Sequence, residues 1–324
     1  MVIQEVFDLV SDDLQRVEIE LLRNLESPVL LIPKVGKHII LGGGKRFRPL
    51  VLILAARFCG YMGSCLIPLA GVFEFIHTAT LLHDDVVDNA EVRRGNTSVN
   101  SVWGNETSIL VGDYLLSKAF SLLTSIGDLA ILKLMSEATT RLAQGEIMEL
   151  AKSGDPFVTE DDYISIVKEK TAVLISAACQ AGAILSHASY EKEMALEGFG
   201  LNLGIAFQLI DDMLDYVSTE EEFGKAIGND LSEGKITLPL IHTLRVSNKS
   251  DRERIVKIIE SEDIEEQDFS TVVDLIRDYD GIDRTYERAR KYAKTARGFL
   301  QDLEASKEKE ALLSLADYVL ERRR

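Results

Sequence analysis

A chain of 324 residues with 46% apolar and 27% charged residues has ordinary globular composition, which suggests neither disorder nor a membrane span. Its 53 acidic against 36 basic residues leave a formal net charge of −17, and that argues against nucleic acid or an anionic membrane surface as partner, since both want clustered Lys and Arg. Scarce Pro (6) and Trp (1) favour helices over a sheet-rich fold.

From the amino terminus, Met1-Val2-Ile3-Gln4-Glu5 lacks a basic region ahead of an apolar stretch, so the expectation is no signal peptide and a cytoplasmic address. The longest uninterrupted apolar run, Leu50 to Ala56, is too short to span a bilayer, so no membrane span is expected. Apolar residues recur at helical spacing almost throughout. They predict helices at roughly 4–26, 47–59, 66–88, 106–126, 128–151, 160–187, 191–218, 236–247, 250–262, 266–279, 281–304 and 307–322. Thr159-Glu160-Asp161-Asp162 reads as a capping box after the turn at Ser153-Gly154-Asp155-Pro156. No internal repeat or low-complexity linker interrupts the chain, which is read as one domain over residues 1–324. Cys59, Cys65 and Cys179 form neither a paired framework nor a metal-ligand spacing.

Three stretches break the helical pattern. Leu41-Gly42-Gly43-Gly44-Lys45-Arg46-Phe47-Arg48-Pro49 is a glycine run followed by cations, with proline where a helix can start. Asn89 to Ser98 is polar and holds Arg93-Arg94-Gly95. Glu220 to Gly234 is charged and bears glycine.

Two acidic clusters carry the functional signal. Asp84-Asp85-Val86-Val87-Asp88 closes one long apolar helix, and Asp211-Asp212-Met213-Leu214-Asp215 closes another. In each, the first and last Asp are four residues apart, on one helical face and about 6 Å apart along the axis. Like charges at that spacing destabilise a helix, and the negative C-terminal end of the dipole disfavours them again. Two such costs, made twice, imply that cations are expected there. Hard oxygen ligands in small sets suit Mg²⁺, which keeps waters and takes further ligands from substrate phosphates. An EF-hand is excluded because its loop glycine and terminal Glu are missing. Two solvated acidic helix ends are the plain alternative. His77, seven residues before Asp84, and Gln208 and Gly204, three and seven before Asp211, project on the acidic faces. There Gln208 offers an amide and Gly204 lets a ligand approach the backbone.

Magnesium beside paired carboxylates points to a diphosphate, which also needs donors. Candidates are Lys45, Arg48, Arg93, Arg94, Lys170, Lys225 and Lys235. Adjacent arginines can fork onto two anions at once, and the glycine run can present N–H groups, although it lacks the Walker pattern.

In order, Gly43-Gly44-Lys45-Arg46-Phe47-Arg48-Pro49, His77 with Leu82-His83-Asp84-Asp85-Val86-Val87-Asp88, Arg93-Arg94-Gly95, Lys170-Thr171, Gln208 to Asp215, Gly224-Lys225 and Gly234-Lys235 resemble the trans-prenyl diphosphate synthase family over about residues 40 to 240. The resemblance implies that Asp84, Asp85, Asp88, Asp211, Asp212 and Asp215 hold three Mg²⁺ ions around an allylic diphosphate, which Arg93, Lys170, Lys225 and Lys235 also contact. It implies that Lys45, Arg48, His77 and Arg94 bind isopentenyl diphosphate. It places Thr171 and Gln208 at the reacting centre, their oxygens facing a developing cation. The fold implied is all-α, a large single-domain helical bundle around a central cavity, usually a homodimer.

Phe75 to Asp84 looks most like the octaprenyl diphosphate synthase branch that serves quinone biosynthesis. Small Ala79 and Thr80, with Ile76 a turn further back, suggest an open tunnel for a long product, and Phe73 and Phe120 are candidate walls or ordinary core aromatics. A shorter-chain (geranylgeranyl or farnesyl) synthase, a terpene cyclase, a non-catalytic partner subunit of a heteromeric synthase and a binding protein for polyprenyl lipids are the competing readings. The terminal Glu321-Arg322-Arg323-Arg324 is expected to be a frayed, solvated tail more readily than a flap over the pocket.

Overall fold

The computed structural model describes residues 1–93, 95–217, 229–261 and 264–322, and for Asn229 and Glu266 the backbone alone. Arg94, Gly224, Lys225, Arg323 and Arg324, singled out above, lie outside the described residues. The chain is all-α, as expected, and forms two compact units. One comprises Met1–Thr139, Leu174–Gly200 and Leu300–Leu315. The other comprises residues 140–173, 201–299 and those from Ala316 on.

The first unit opens with α1 (Ile3–Leu9), α2 (Ser11–Asn24), α3 (Leu31–Leu41) and α4 (Phe47–Phe58). It is built on α5 (Leu66–Val87), whose residues are apolar nearly all round, so it runs through the interior. Phe73, Phe75 and Ile76 on it are buried, and it packs along α7 (Asn105–Ile126) with α2 and α4 on its other flanks. The small residues of α10 (Val173–Leu185) allow close packing. A Cβ on Gly182 would come within 2.6 Å of Ala56 N on α4. Burying α5 and α4 stabilises the unit, by about 25 cal/mol per Å² of apolar surface removed from water.

Helices α8 (Leu129–Lys152), α10 and α11 (Tyr190–Val217) each have residues in both units. In the second unit, α9 (Glu160–Val167) begins with the expected capping box: Asp162 N donates to Thr159 Oγ1 at 3.1 Å and Thr159 N to Asp162 Oδ2 at 3.1 Å. A single turn of π-helix, Lys168–Ala172, joins α9 to α10. The remaining described helices are α12 (Asn229–Ser232), α13 (Leu238–Val246), α14 (Lys249–Ile259), α15 (Glu266–Asp278), α16 (Gly281–Leu300) and α17 (Lys307–Glu321).

The pattern of apolar residues misplaces several boundaries. The helix expected over 4–26 is broken at Val10, which leaves helical backbone at φ −126°. Helix α3 was not foreseen, and only the glycine run from Leu41 was read there, as a break. Gly36 within it faces Leu25, whose methyl groups occupy the space a Cβ would need. A hairpin, β1 (Val92–Arg93) with β2 (Asn96–Thr97), and the short α6 (Val99–Trp103) were also missed. The helix expected over 281–304 ends at Leu300.

By length and apolarity α5 and α7 could each cross a membrane, although the longest unbroken apolar run in the chain suggested no span. Of the most apolar window, 72% is buried within the protein for α5 and 28% for α7. The first is therefore a core helix, and the second presents apolar surface outward, including Ile109 and Leu110.

Candidate active site

In the first unit, Asp84 and Asp85 lie in the last turn of α5, and Asp88 is its C-cap. Asp85 is fully buried. Its carboxylate is met by Arg93, whose Nε and Nη2 stand 2.7 and 2.5 Å from Oδ1. The hairpin delivers that arginine. Val92 pairs with Thr97 and Arg93 with Asn96, and Gly95 at φ 76° supplies the left-handed residue a tight turn needs. Asn100 Nδ2 donates to Asp85 O at 3.1 Å, so the same connection also caps the helix end.

The glycine run lies beside this hairpin. Asn96 Nδ2 donates to Gly42 O at 3.4 Å, and His38 Nε2 lies 2.9 Å from Thr97 O. Gly43 and Gly44 have φ of 97° and 149°, which lets the chain turn before α4. A small cavity is lined by His38, Gly42, Asp85, Arg93, Asn96 and Ser98. Lys45 is exposed and Arg48 half-buried. Along α5, Ile76 and Ala79 are buried, while His77 and Thr80 are half-exposed, and Thr80 Oγ1 donates to His77 O at 2.8 Å. Phe73 is fully buried on α5 and Phe120 half-buried on α7.

In the second unit the acidic motif lies near the C-terminal end of α11. A hydrogen-bonded chain runs through it. Thr171 Oγ1 donates to Gln208 Oε1 at 2.9 Å, Gln208 Nε2 donates to Asp212 Oδ1 at 2.7 Å, and the Tyr163 hydroxyl donates to Asp212 Oδ2. Burial pushes the Asp212 carboxyl up to about 7, with the Asp211 and Glu149 charges adding to it, while the bonds from Tyr163 and Gln208 work the other way. Asp215 accepts from Asp230 N at 3.1 Å. Asp230 is itself held well above the usual carboxylate range, by desolvation first and then by Asp215 and Asp212. Asp212, Asp230, Lys170, Lys235, Thr171 and Gln208 all line one cavity.

Two glycines build this site by close packing. A Cβ on Gly145 of α8 would lie 2.4 Å from Lys170 N, and one on Gly204 of α11 would lie 2.6 Å from Ala172 Cα. They clamp the π turn that carries Lys170 and Thr171. This corrects the role expected for Gly204, because its open side is taken by a neighbouring helix and not by a ligand. It also refines Gln208, whose amide is engaged by Asp212 four residues on.

Lys170 and Lys235 are paired with glutamates. Lys170 Nζ bonds Glu149 and lies 2.8 Å from Glu146 Oε2, and Lys235 Nζ lies 2.6 Å from Glu233 Oε2. Arg322, just beyond α17, reaches Asp211. The expectation of a frayed tail therefore fails at that residue. Asp230, Tyr163, Glu146 and Glu149 were not picked out from the sequence, and Arg322 was named only within the terminal tail. Only Asp230 had a signal, as an acid within the glycine-bearing stretch ahead of Lys235.

Among the described residues no three His, Cys, Asp or Glu side chains converge into a ready-made metal cage. The donor set nonetheless fits magnesium, since oxygen donors in open array suit an ion that retains waters and completes its shell from phosphate. In each cluster an arginine from the same chain already stands against a carboxylate, Arg93 on Asp85 and Arg322 on Asp211.

Comparison with known proteins places the chain clearly. Residues 30–276 match the family model described as polyprenyl synthetase. The chain is 40% identical to octaprenyl diphosphate synthase of Escherichia coli over 324 residues, covering 100% of both chains. It is 42% identical over 316 residues to octaprenyl diphosphate synthase of Haemophilus influenzae, covering 98% of this chain and 96% of that one. Among solved structures, a polyprenyl synthase from Caulobacter crescentus complexed with calcium and isoprenyl diphosphate superposes with TM-score 0.94 at 38% identity, covering 99% of this chain and 98% of the other.

Proposed function

The chain belongs to the polyprenyl synthetase family, and from that premise we propose that it lengthens an allylic prenyl diphosphate with isopentenyl diphosphate units into a long all-trans product, octaprenyl diphosphate. It is a prenyltransferase. The observation that carries the reading is the presence of both aspartate motifs, each with an arginine ion-paired to it, in a chain similar over its full length to octaprenyl synthases.

We assign Asp84, Asp85, Asp88, Asp211, Asp212 and Asp215 to holding magnesium, three ions in all, against the allylic diphosphate. Bound there, magnesium would neutralise the charge that builds on the departing pyrophosphate. Arg93, Lys170 and Lys235, with Lys225, bind the same diphosphate. Lys170 and Lys235 are paired with glutamates, so binding a diphosphate there would exchange one set of partners for another. Lys45, Arg48, His77 and Arg94 bind isopentenyl diphosphate.

The allylic C–O bond breaks with its electrons leaving on pyrophosphate. The double bond of isopentenyl diphosphate then attacks the allylic cation, and the proton released in restoring an alkene passes to pyrophosphate. Positioned dipoles stabilise such a cation far better than mobile water does. Thr171 suits this role, because giving its hydrogen to Gln208 leaves its oxygen lone pairs available to a cation. No protein nucleophile is required.

We further propose that the growing tail runs along α5 past Thr80, Ala79 and Ile76, with Phe120 as a wall. The outward apolar residues of α7, Ile109 and Leu110 among them, support a homodimer formed on that helix. A cytoplasmic enzyme feeding quinone side chains completes the proposal. Incubation with Mg²⁺, labelled isopentenyl diphosphate and farnesyl diphosphate tests the reading. Elongated prenyl diphosphate supports it. A shorter ladder would indicate a geranylgeranyl synthase, cyclic hydrocarbon a cyclase, and no product a partner subunit or binding protein.

A further inference from the structure

Between Lys45 and Arg48 stands Arg46, and its geometry is unlike that of either neighbour. It is the N-cap of α4, a position that favours a small polar residue in extended backbone, yet it is an arginine in the left-handed region at φ 46°, ψ 44°. A non-glycine residue persists there only where its surroundings over-determine it. Here the side chain does so. Arg46 is 8% exposed, and its guanidinium gathers acceptors from three separate helices.

Nε donates to Glu18 Oε1 at 2.5 Å and Nη2 to Glu18 Oε2 at 3.2 Å, a fork onto α2. Nη1 donates to Glu74 Oε1 on α5 at 2.8 Å. Nη2 also donates to Ile40 O at 2.6 Å, one of the last carbonyls of α3, where the helix dipole favours a cation. Glu74 is 3% exposed, so the ion pair is desolvated and depends on its geometry. Only a planar fork can meet all four oxygens at once, and a lysine cannot.

We infer that Arg46 is a positioning residue for the binding of isopentenyl diphosphate, fixing the glycine turn and the start of α4 so that Lys45 and Arg48 are presented together. The backbone supports the assignment. Leu50 N donates to Arg46 O at 2.9 Å, so the residue that anchors the side-chain network also accepts the first hydrogen bond of the helix whose opening turn carries Arg48. Lys45, immediately before it, is exposed while Arg46 is buried. The strained backbone turns one cation into the protein and leaves the preceding one on the surface.

The inference rests on the assignment of Lys45 and Arg48 to that substrate, and the test separates the two. Steady-state kinetics would be measured for Arg46→Lys, Glu18→Gln and, as reference, Lys45→Ala, with thermal unfolding recorded for each. Arg46→Lys keeps the charge and loses the fork. Glu18→Gln weakens the fork from its half-exposed side without stranding a buried charge, and so remains informative if the first variant folds poorly. Both are expected to raise KM for isopentenyl diphosphate about tenfold, with kcat and KM for farnesyl diphosphate within about twofold of the parent, since small misplacements of binding groups carry penalties of that size. Variants that lose only thermal stability, with KM for isopentenyl diphosphate unchanged while Lys45→Ala raises it, would overturn the inference. Lys45→Ala leaving that KM unchanged would overturn the pocket assignment, and the inference with it.

Discussion

Arg322 Nη1 stands 2.7 Å from Asp211 Oδ1, with its guanidinium carbon 4.6 Å from the centre of the Phe207 ring. A cation from the end of the chain thus occupies one side of the carboxylate that opens the second acidic motif. The ring face holds the guanidinium in place by cation–π attraction, worth about 0.5–1 kcal/mol at a partly exposed site. Because Asp211 is 34% exposed at its side chain, the ion pair adds no more than about 1 kcal/mol to stability.

With Asp211 proposed to hold metal, this pairing would make Arg322 a competitor for the ion. Arg322→Ala is expected to tighten Mn²⁺ binding to the substrate-free protein several-fold, measured by the loss of the free-ion electron paramagnetic resonance signal, with unfolding temperature nearly unchanged. Unchanged or weaker Mn²⁺ affinity would contradict it.

Removing a carboxylate from either cluster should stop the chemistry and spare the fold. Asp84→Ala and Asp211→Ala are each expected to lower kcat by roughly 10³-fold or more, the scale of losing an electrostatic stabiliser of the leaving group. Circular dichroism should be unaltered, since both replaced residues lie at helix ends where like charges repel. Turnover within tenfold of the parent would count against the metal assignment.

Gly204 gives a prediction about the scaffold. A methyl group there would press on Ala172 Cα at 2.6 Å, which is backbone and cannot swing aside. Gly204→Ala should therefore cost about 1–3 kcal/mol in denaturant unfolding, the usual range for overpacking. It should also lower kcat more than tenfold by displacing the adjoining Thr171 and Lys170. An unperturbed variant would show that the π turn needs no such clamp.

Product length tests the tunnel. Ala79 is buried on α5 five residues before Asp84, so Ala79→Tyr places a ring where the growing tail is proposed to pass. The expected outcome is a ladder ending at shorter prenyl alcohols after dephosphorylation and chromatography. The parental ladder would place the tunnel elsewhere.

The parts of this protein legible in its sequence are those written within a few neighbouring residues. Four-residue spacing put Asp84 with Asp88 and Asp211 with Asp215, and the Thr159–Asp162 capping box is there as read. Arg93 was singled out, but its approach to Asp85 depends on a two-residue-strand hairpin that no run of alternating residues announces. Asp230, Tyr163 and Arg322 reach the second cluster through tertiary packing alone. Gly204 was visible as a glycine on the right helical face, yet which object it admits, ligand or helix, is decided by Ala172 some thirty residues away. Arg46 looked like one cation among three, and only its burial against Glu18 and Glu74 sets it apart.

The central claim is that both aspartate motifs hold metal against one diphosphate. Crystals grown with Mn²⁺ and a non-ionising allylic thiodiphosphate, measured at the manganese absorption edge, test it most directly. Anomalous peaks should stand beside Asp84 and Asp88 and beside Asp211 and Asp215, all in contact with the same diphosphate. A diphosphate bound with manganese at one motif alone, or with none, would contradict the account.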